Sequence, residues 1–317
     1  MKVLIIRFSS IGDIAWTTPI IRRCKLQLPD VEVHYLTKKN FAELVSHNPH
    51  IDKLWLFDDN LFEIIKLLHV QKYDYVIDLH NNLRTWLIKA ALQRPTVTHR
   101  KMSIRRYIMC MFKINLIPAH LAHVADRFQE AVSKIGVNDD GLGTEYYFGE
   151  HMPSAEQYLP KTLTGNYTAL VIGGSKATKQ LPIHKLEEII TKLNHNIVLI
   201  GGTQEAHTGN ILQKKYIHVT NLCGKLSLSE SAKMVQNAQL IIGNDTGLMH
   251  IAAAFSKKMY TFWGSTNPDW YAPYRSNNVN VRNTAIACSP CSKLGAHECP
   301  QGHFKCMNEV QVPDFEG

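Results

Sequence analysis

Between Val3 and Asp13 the chain reads Val-Leu-Ile-Ile-Arg-Phe-Ser-Ser-Ile-Gly-Asp. An apolar run ends in a short Ser/Gly loop, and an acid then opens a stretch of helical character. That is a strand, a tight turn and a helix N-terminus. It sets one carboxylate at the carboxyl end of a first strand, where α/β sheets bind ligands. A second unit of this kind lies far downstream, at Ala238-Gln-Leu-Ile-Ile-Gly-Asn-Asp-Thr-Gly-Leu-Met-His-Ile-Ala-Ala-Ala254. Two such units in two halves of one chain predict two nucleotide-type domains facing each other. The length of 317 residues, long for a single core, agrees.

Apolar strand-like stretches alternate with helix-like ones along both halves. Strands are expected at 2–7, 31–36, 53–56 and 75–79, and helices at 12–27, 41–47, 61–68, 84–92, 104–112 and 124–135. Composition shifts at 138–149 and again at 159–166, where Pro, Gly and Thr collect, so the linker is expected there. The domains are then 1–155 and 156–317. The second series places strands at 169–172, 197–200, 218–220, 239–242 and 258–261, with helices at 182–193, 207–214, 229–236 and 247–255. Such alternation implies mainly parallel sheets covered on both faces. No apolar run reaches the ~18 residues of a bilayer span. Lys2 leads straight into a strand that Arg7 interrupts, which is no secretory pattern, and seven cysteines are an odd number for a disulfide framework. A cytoplasmic protein is expected.

Net charge is +8, unevenly spread. From Leu79 to Ala125 there is no Asp or Glu, while Arg84, Lys89, Arg94, Arg100, Lys101, Arg105, Arg106 and Lys113 all fall there. Such a segment suits an anionic partner, or else is a solvated basic face. Within it Ile104, Ile108, Met111 and Phe112 recur at helical spacing. The stripe fits an interfacial amphipathic helix, and it equally fits packing into the N-terminal core.

Asp13 is a candidate general base for an acceptor hydroxyl, or an acid that complements a helix dipole. Ser9 and Ser10 could cap that helix or bind substrate. Around Asn244-Asp245-Thr246-Gly247, backbone amides at a helix start would form an anion site suited to a pyrophosphate, with Gly247 allowing close approach. His250, three residues on, shares that helix face. Asp245 could instead be an N-cap and His250 a satisfied buried imidazole. Gly173-Gly174-Ser175, followed by Lys176 and Lys179, reads as a phosphate loop or as generic turn chemistry.

Several classes lack their signatures. There is no GxxxxGK[ST], no GxGxxG after a strand, no Asp-x-Asp and no Gly-x-Ser-x-Gly. Near the C-terminus stands Cys288-x2-Cys291-x7-Cys299-x6-Cys306. Its first pair has zinc-ligand spacing, so a structural zinc site competes with a set of reduced thiols in a loop-rich tail.

The segments Ile-Arg-Phe-Ser-Ser-Ile-Gly-Asp at 6–13, Thr-Thr-Pro at 17–19 and Gly-Asn-Asp-Thr-Gly-Leu-Met-His at 243–250 together resemble glycosyltransferase family 9, the ADP-heptose:lipopolysaccharide heptosyltransferases. The segments 78–84, 179–182 and 262–266 extend the likeness to about Tyr274, and Cys306-Met307 is similar to the family's tail. The resemblance implies a GT-B architecture, two Rossmann-like domains with parallel sheets facing across a cleft. The N-terminal domain would bind acceptor and the C-terminal domain the nucleotide sugar. It implies an inverting, metal-independent transfer with Asp13 as catalytic base. Donor contacts would come from Gly174, Ser175, Lys179, Leu226, Asp245, Thr246, Gly247 and His250. Ser9, Ser10, Gly12, Arg84, Arg105 and Arg106 are assigned to the acceptor. Leu181 and Gly174 depart from the family's usual aromatic and hydroxyl residues, both on the donor side.

The expected function is therefore heptose transfer from ADP-heptose to the inner core of lipopolysaccharide. No cofactor is expected, only the ADP-sugar substrate. The partners are a nucleotide sugar, a lipid-linked anionic glycan acceptor and the inner-leaflet membrane surface of a Gram-negative bacterium. Two other readings compete. One keeps the fold but uses another nucleotide sugar on a different cell-surface glycan. The other is a non-catalytic protein that binds nucleic acid or an anionic surface. Nucleic acid is disfavoured because the basic residues lack regularly interleaved aromatics.

Overall fold

The structure, a computed structural model, describes residues 1–160 and 166–315. It divides into two compact units. The first comprises Met1–Met102 and Pro118–Gly149, the second Ser103–Ile117 and Glu150–Gly317.

The first unit runs β1 (Lys2–Ile6), α1 (Ile11–Ala15), α2 (Thr18–Gln27), β2 (Glu32–Lys38), β3 (Lys53–Phe57), α3 (Leu61–His69), β4 (Tyr75–Asp78), α4 (Leu83–Leu92) and β5 (Thr96–Thr98). The chain then visits the second unit as α5 (Ser103–Phe112) and returns as α6 (Val124–Ser133). The five strands are parallel in the order β3-β2-β1-β4-β5. β1 is central because Val3, Leu4, Ile5 and Ile6 are apolar on both faces, and all four are fully buried. The single helix expected over 12–27 is two. The chain breaks at Trp16–Thr17, and Pro19, which has no amide hydrogen to donate, sits in the first turn of α2.

The stretch 138–149, expected as part of a linker, is instead strapped onto α2. Arg22 Nε reaches Asp140 Oδ2 at 2.9 Å, Arg23 Nε reaches Asp140 Oδ1 at 2.9 Å, and Glu145 donates its amide to Thr18 Oγ1 at 2.9 Å. Two arginines on consecutive positions of a helix need carboxylates to be buried, and this acidic strap supplies them. Of the second expected stretch, 161–165 lie outside the described residues.

The second unit runs β6 (Thr168–Val171), α7 (Ile183–Lys192), β7 (Ile197–Ile200), α8 (Ala206–Lys215), β8 (Val219–Asn221), α9 (Leu228–Asn237), β9 (Leu240–Asn244), α10 (Gly247–Ala252), β10 (Lys258–Trp263), α11 (Pro268–Tyr271), β11 (Asn278–Arg282) and α12 (Lys305–Asn308). Its six parallel strands are ordered β11-β10-β9-β6-β7-β8. Counted from β6, that is the 3-2-1-4-5-6 order of doubly wound folds. Side chains such as Leu186, Ile189 and Ile190 of α7 seal the sheet, each contributing about 1.5–3 kcal/mol of burial.

Each sheet therefore has one switch point, between β1 and β4 in the first unit and between β6 and β9 in the second. β5 and β11 are edge strands that the sequence pattern does not announce. β11 alternates asparagines with valines, and its polar side chains are absorbed by the neighbouring strand. Thr261 Oγ1 donates to Asn278 Oδ1 at 2.6 Å, and Trp263 Nε1 donates to Asn280 Oδ1 at 2.8 Å.

Candidate active site

At the β1/β4 switch point of the first unit, Asp13 lies in the first turn of α1. Arg7, just beyond β1, directs Nη2 to Asp13 Oδ1 at 2.6 Å. The same guanidinium donates Nε to the Ser9 carbonyl at 2.7 Å and Nη1 to the Leu79 carbonyl beyond β4. Ser10 completes the carboxylate's surroundings, giving its hydroxyl (2.7 Å) and its amide (3.2 Å) to Asp13 Oδ2. Burial alone would raise the Asp13 carboxyl. The Arg7 charge and the Ser10 hydrogen bonds outweigh it and hold the group below its ordinary range. Asp13 is thus an ionised carboxylate; Oδ2 already takes two donors from Ser10, so Oδ1, which takes only Arg7 Nη2, keeps lone-pair capacity for one more.

His80 follows β4 and stacks edge-on against Phe8, with ring centroids 5.1 Å apart. Burial, then the charges of Arg7 and Lys101, bring its pKa down to about 4. His99 is pushed down to about 3, first by burial and then by Arg7. Both imidazoles are neutral at physiological pH. Asp78 is a turn-former: Oδ1 accepts the amides of His80 (3.0 Å) and Asn81 (2.7 Å), and Oδ2 faces Lys89 Nζ at 2.8 Å.

At the β6/β9 switch point of the second unit, Asn244 ties the two strand ends together. Its Nδ2 donates to the Ile172 carbonyl at 3.0 Å, and its Oδ1 accepts the Leu181 amide at 3.1 Å. The next residue, Asp245, is buried, and its Oδ2 takes Lys179 Nζ at 2.8 Å and the Thr266 hydroxyl at 2.7 Å. His250 Nε2 lies 3.8 Å from Asp245 Oδ1. Thr246 stands at the N-cap of α10 with no side-chain capping bond, and Gly247 follows it. A Cβ at Gly174 would sit 2.9 Å from Gln180 Cγ, so glycine there permits the close return of the loop. Gln180 Nε2 fastens that loop to the Gly174 carbonyl at 2.7 Å and to Glu205 Oε1 at 3.0 Å.

Of the residues singled out in the sequence, Asp13, Ser9, Ser10 and Gly12 gather at the first switch point. Gly174, Lys179, Asp245, Thr246, Gly247 and His250 gather at the second. Ser175 is exposed on the same loop, and Leu226 is half-buried in the loop between β8 and α9. Arg84 is exposed on α4, 5.8 Å from the Phe57 ring centroid. Arg105 and Arg106 lie on α5 and so are grouped with the second unit, not with Asp13. Arg106 is directed inward, donating Nη1 to the Tyr271 hydroxyl. Sequence reasoning missed the roles of Arg7 and Thr266. Arg7 read only as a charge interrupting an apolar run, and that anomaly was the available signal.

Cys288, Cys291, Cys299 and Cys306 of the C-terminal tail are free thiols in the structure. Among the described residues no three His, Cys, Asp or Glu side chains gather so as to hold a metal ion. Cys306 is drawn into the apolar core on α12, where burial and the neighbouring thiols Cys291, Cys288 and Cys299 push it up to about 12. Cys288 Sγ pairs instead with His303 Nε2 at 3.7 Å.

Two parallel sheets, each with a polar cluster at its switch point, are the paired Rossmann-like sheets of the GT-B fold class. Residues 61–300 match the model of glycosyltransferase family 9 (heptosyltransferase), and the chain belongs to that family. It is 24% identical over 295 residues to lipopolysaccharide heptosyltransferase 3 of Escherichia coli, covering 84% of this chain and 85% of that one. The solved ADP-heptose lps heptosyltransferase II of E. coli superposes with a TM-score of 0.70 at 18% identity, over 98% of each chain. E. coli heptosyltransferase WaaC, solved with ADP-2-deoxy-2-fluoro heptose, gives 0.65 at 21% identity, over 91% of this chain and 95% of that one. At these identities the two structures establish the fold.

Proposed function

We propose that this glycosyltransferase moves heptose from ADP-heptose to a hydroxyl of the lipopolysaccharide inner core, with inversion and without a divalent metal. The observation that carries the reading is the Asp13 carboxylate, held ionised and oriented by Arg7 and Ser10 at a switch point. The names of the family-9 relatives and the ADP-heptose analogue bound by WaaC support the choice of sugar and nucleotide.

In this reading one Asp13 oxygen accepts the acceptor hydroxyl as it attacks the anomeric carbon. The proton passes to the carboxylate as the new bond forms, when the hydroxyl is most acidic. The leaving diphosphate gains charge at the second switch point. Lys179 and the amides following Thr246 stabilise it there, in the manner of an oxyanion site. Asp245 is not a diphosphate ligand, since its own charge repels one. It holds the Lys179 ammonium in place. Gly174, Ser175, Gly247 and His250 shape the donor loop, and Leu226 lines the base pocket. Ser9, Ser10, Gly12, Arg84, Arg105 and Arg106 serve the anionic, lipid-linked acceptor. Work on such an acceptor belongs at the cytoplasmic face of the inner membrane.

The test is release of the donor's nucleoside diphosphate, ADP or UDP, with a panel of ADP- and UDP-sugars on isolated inner-core acceptor, with and without EDTA. Turnover with ADP-heptose that survives EDTA is expected. Turnover only with another nucleotide sugar, or only with added magnesium, contradicts the reading.

A further inference from the structure

Helix α5 is built inside out. Arg106 and Cys110, four residues apart, lie on one stripe, and Lys113 just past the helix end continues it. This polar stripe is the one bonded to the rest of the unit. Arg106 bonds the Tyr271 hydroxyl, and its guanidinium lies 5.9 Å from that ring centroid. Cys110 is buried, and Lys113 Nζ donates to the carbonyls of Cys288 (2.7 Å) and Pro290 (2.6 Å). The opposite stripe is apolar and faces solvent. Ile104 is 77% exposed, Phe112 65% and Met111 57%, with Tyr107 beside them. Ile114 and Leu116 extend the exposed apolar surface beyond the helix.

An ordinary surface helix buries its apolar side and shows its charges. This one does the reverse, in a segment where no acid occurs between Leu79 and Ala125. Exposed Arg105 lies on the helix flank, and its Nη1 bonds the Leu116 carbonyl at 3.2 Å, tying the helix to the apolar stretch that follows. Exposed large apolar side chains grouped on one helix face and the stretch after it mark a docking face. A protein partner of mixed charge does not explain a segment free of acids, whereas an anionic bilayer does: apolar side chains enter the acyl boundary and cations stay at the headgroups.

We infer that α5 and the stretch through Leu116 form an interfacial anchor, by which the enzyme docks on anionic phospholipid. The inference deepens the reading of a lipid-linked acceptor but needs neither acceptor nor donor. The two can therefore fail separately.

The experiment is sedimentation of the full-length protein with vesicles of phosphatidylethanolamine and phosphatidylglycerol, against vesicles of phosphatidylcholine alone. Wild type is compared with Ile104→Ser/Met111→Ser/Phe112→Ser, all three exposed and outside the binding sites. Wild type should bind the anionic vesicles, and more weakly as salt rises. The variant should partition on the order of 100-fold more weakly, with ADP affinity by calorimetry unchanged as proof of folding. Equal binding by the variant, or no binding by wild type, overturns the inference. So does a concentration-dependent dimer in gel filtration that the variant abolishes without any vesicle binding by wild type, which would make the face a contact between copies.

Discussion

Arg7 Nη2 stands 2.6 Å from Asp13 Oδ1, and the guanidinium is itself fixed by the carbonyls of Ser9 and Leu79. A residue just beyond β1 and a residue of α1 are thereby locked across the loop that joins them. A base beside a fixed cation is ionised over the whole physiological range, and its orientation does not depend on substrate.

The first prediction concerns pH. With Arg7 present, Asp13 protonates only below the ordinary carboxylate range. Removing the cation leaves burial, which raises the group. In Arg7→Met the acid limb of kcat/KM should move to higher pH, while Arg7→Lys, which keeps the charge, should restore much of the wild-type profile. An acid limb identical in Arg7→Met and wild type would disconnect Arg7 from the base.

A second pH effect should appear in stability. His80 and His99 have folded pKa values of about 4 and about 3 against an ordinary 6.5. The unfolded chain therefore binds more protons than the folded one below 6.5, so stability falls as pH drops from about 6.5 toward 4. Burial lowers His34 as well, so it adds to the same slope. The lowered carboxylates Asp13, Asp78 and Asp140 act only further down, below their ordinary 3.8. Urea midpoints across this range should decline for wild type and much less for His80→Gln/His99→Gln. A flat wild-type profile would refute the assignment.

Lys179 and Asp245 should behave as a unit. Lys179→Ala strands a buried carboxylate and should destabilise the fold by about 3–5 kcal/mol, confusing any binding measurement. Lys179→Met/Asp245→Asn removes both charges and should stay folded while losing ADP affinity in calorimetry by about tenfold or more, the scale of one charge-assisted hydrogen bond. Unchanged ADP affinity would place the diphosphate elsewhere.

The strap on α2 gives a purely structural prediction. Arg23 is fully buried among Asp139, Asp140, Gln129 and the Leu142 carbonyl. Asp140→Asn should cost about 3–5 kcal/mol in urea unfolding, since it leaves buried guanidinium charge under-compensated, with ADP affinity unaffected. A loss below about 1 kcal/mol, the scale of a surface pair, would mean the strap is dispensable.

Much of this molecule is legible in its residues because parallel strands buried on both faces must be apolar throughout. Val3–Ile6 and Leu240–Ile242 announce themselves, and Asp13 and Asp245 stand out as the acids that follow. Tertiary partnership leaves no such trace. Nothing local says that Arg7 turns back onto Asp13, or that Thr266 crosses from the end of β10 to Asp245. The apolar spacing of Ile104, Met111 and Phe112 is the same whether the stripe faces inward or outward. Only the inward bonds of Arg106 and Lys113 decide it. The edge strand β11 escaped notice because its asparagines satisfy partners on β10 rather than solvent.

The central claim is that Asp13 takes the acceptor proton. It is tested most directly by the initial rate of Asp13→Asn with ADP-heptose and inner-core acceptor. The rate should fall by about 10²–10⁴-fold, with ADP affinity by calorimetry and the unfolding midpoint at neutral pH close to wild type. Turnover within a few-fold of wild type would contradict the account.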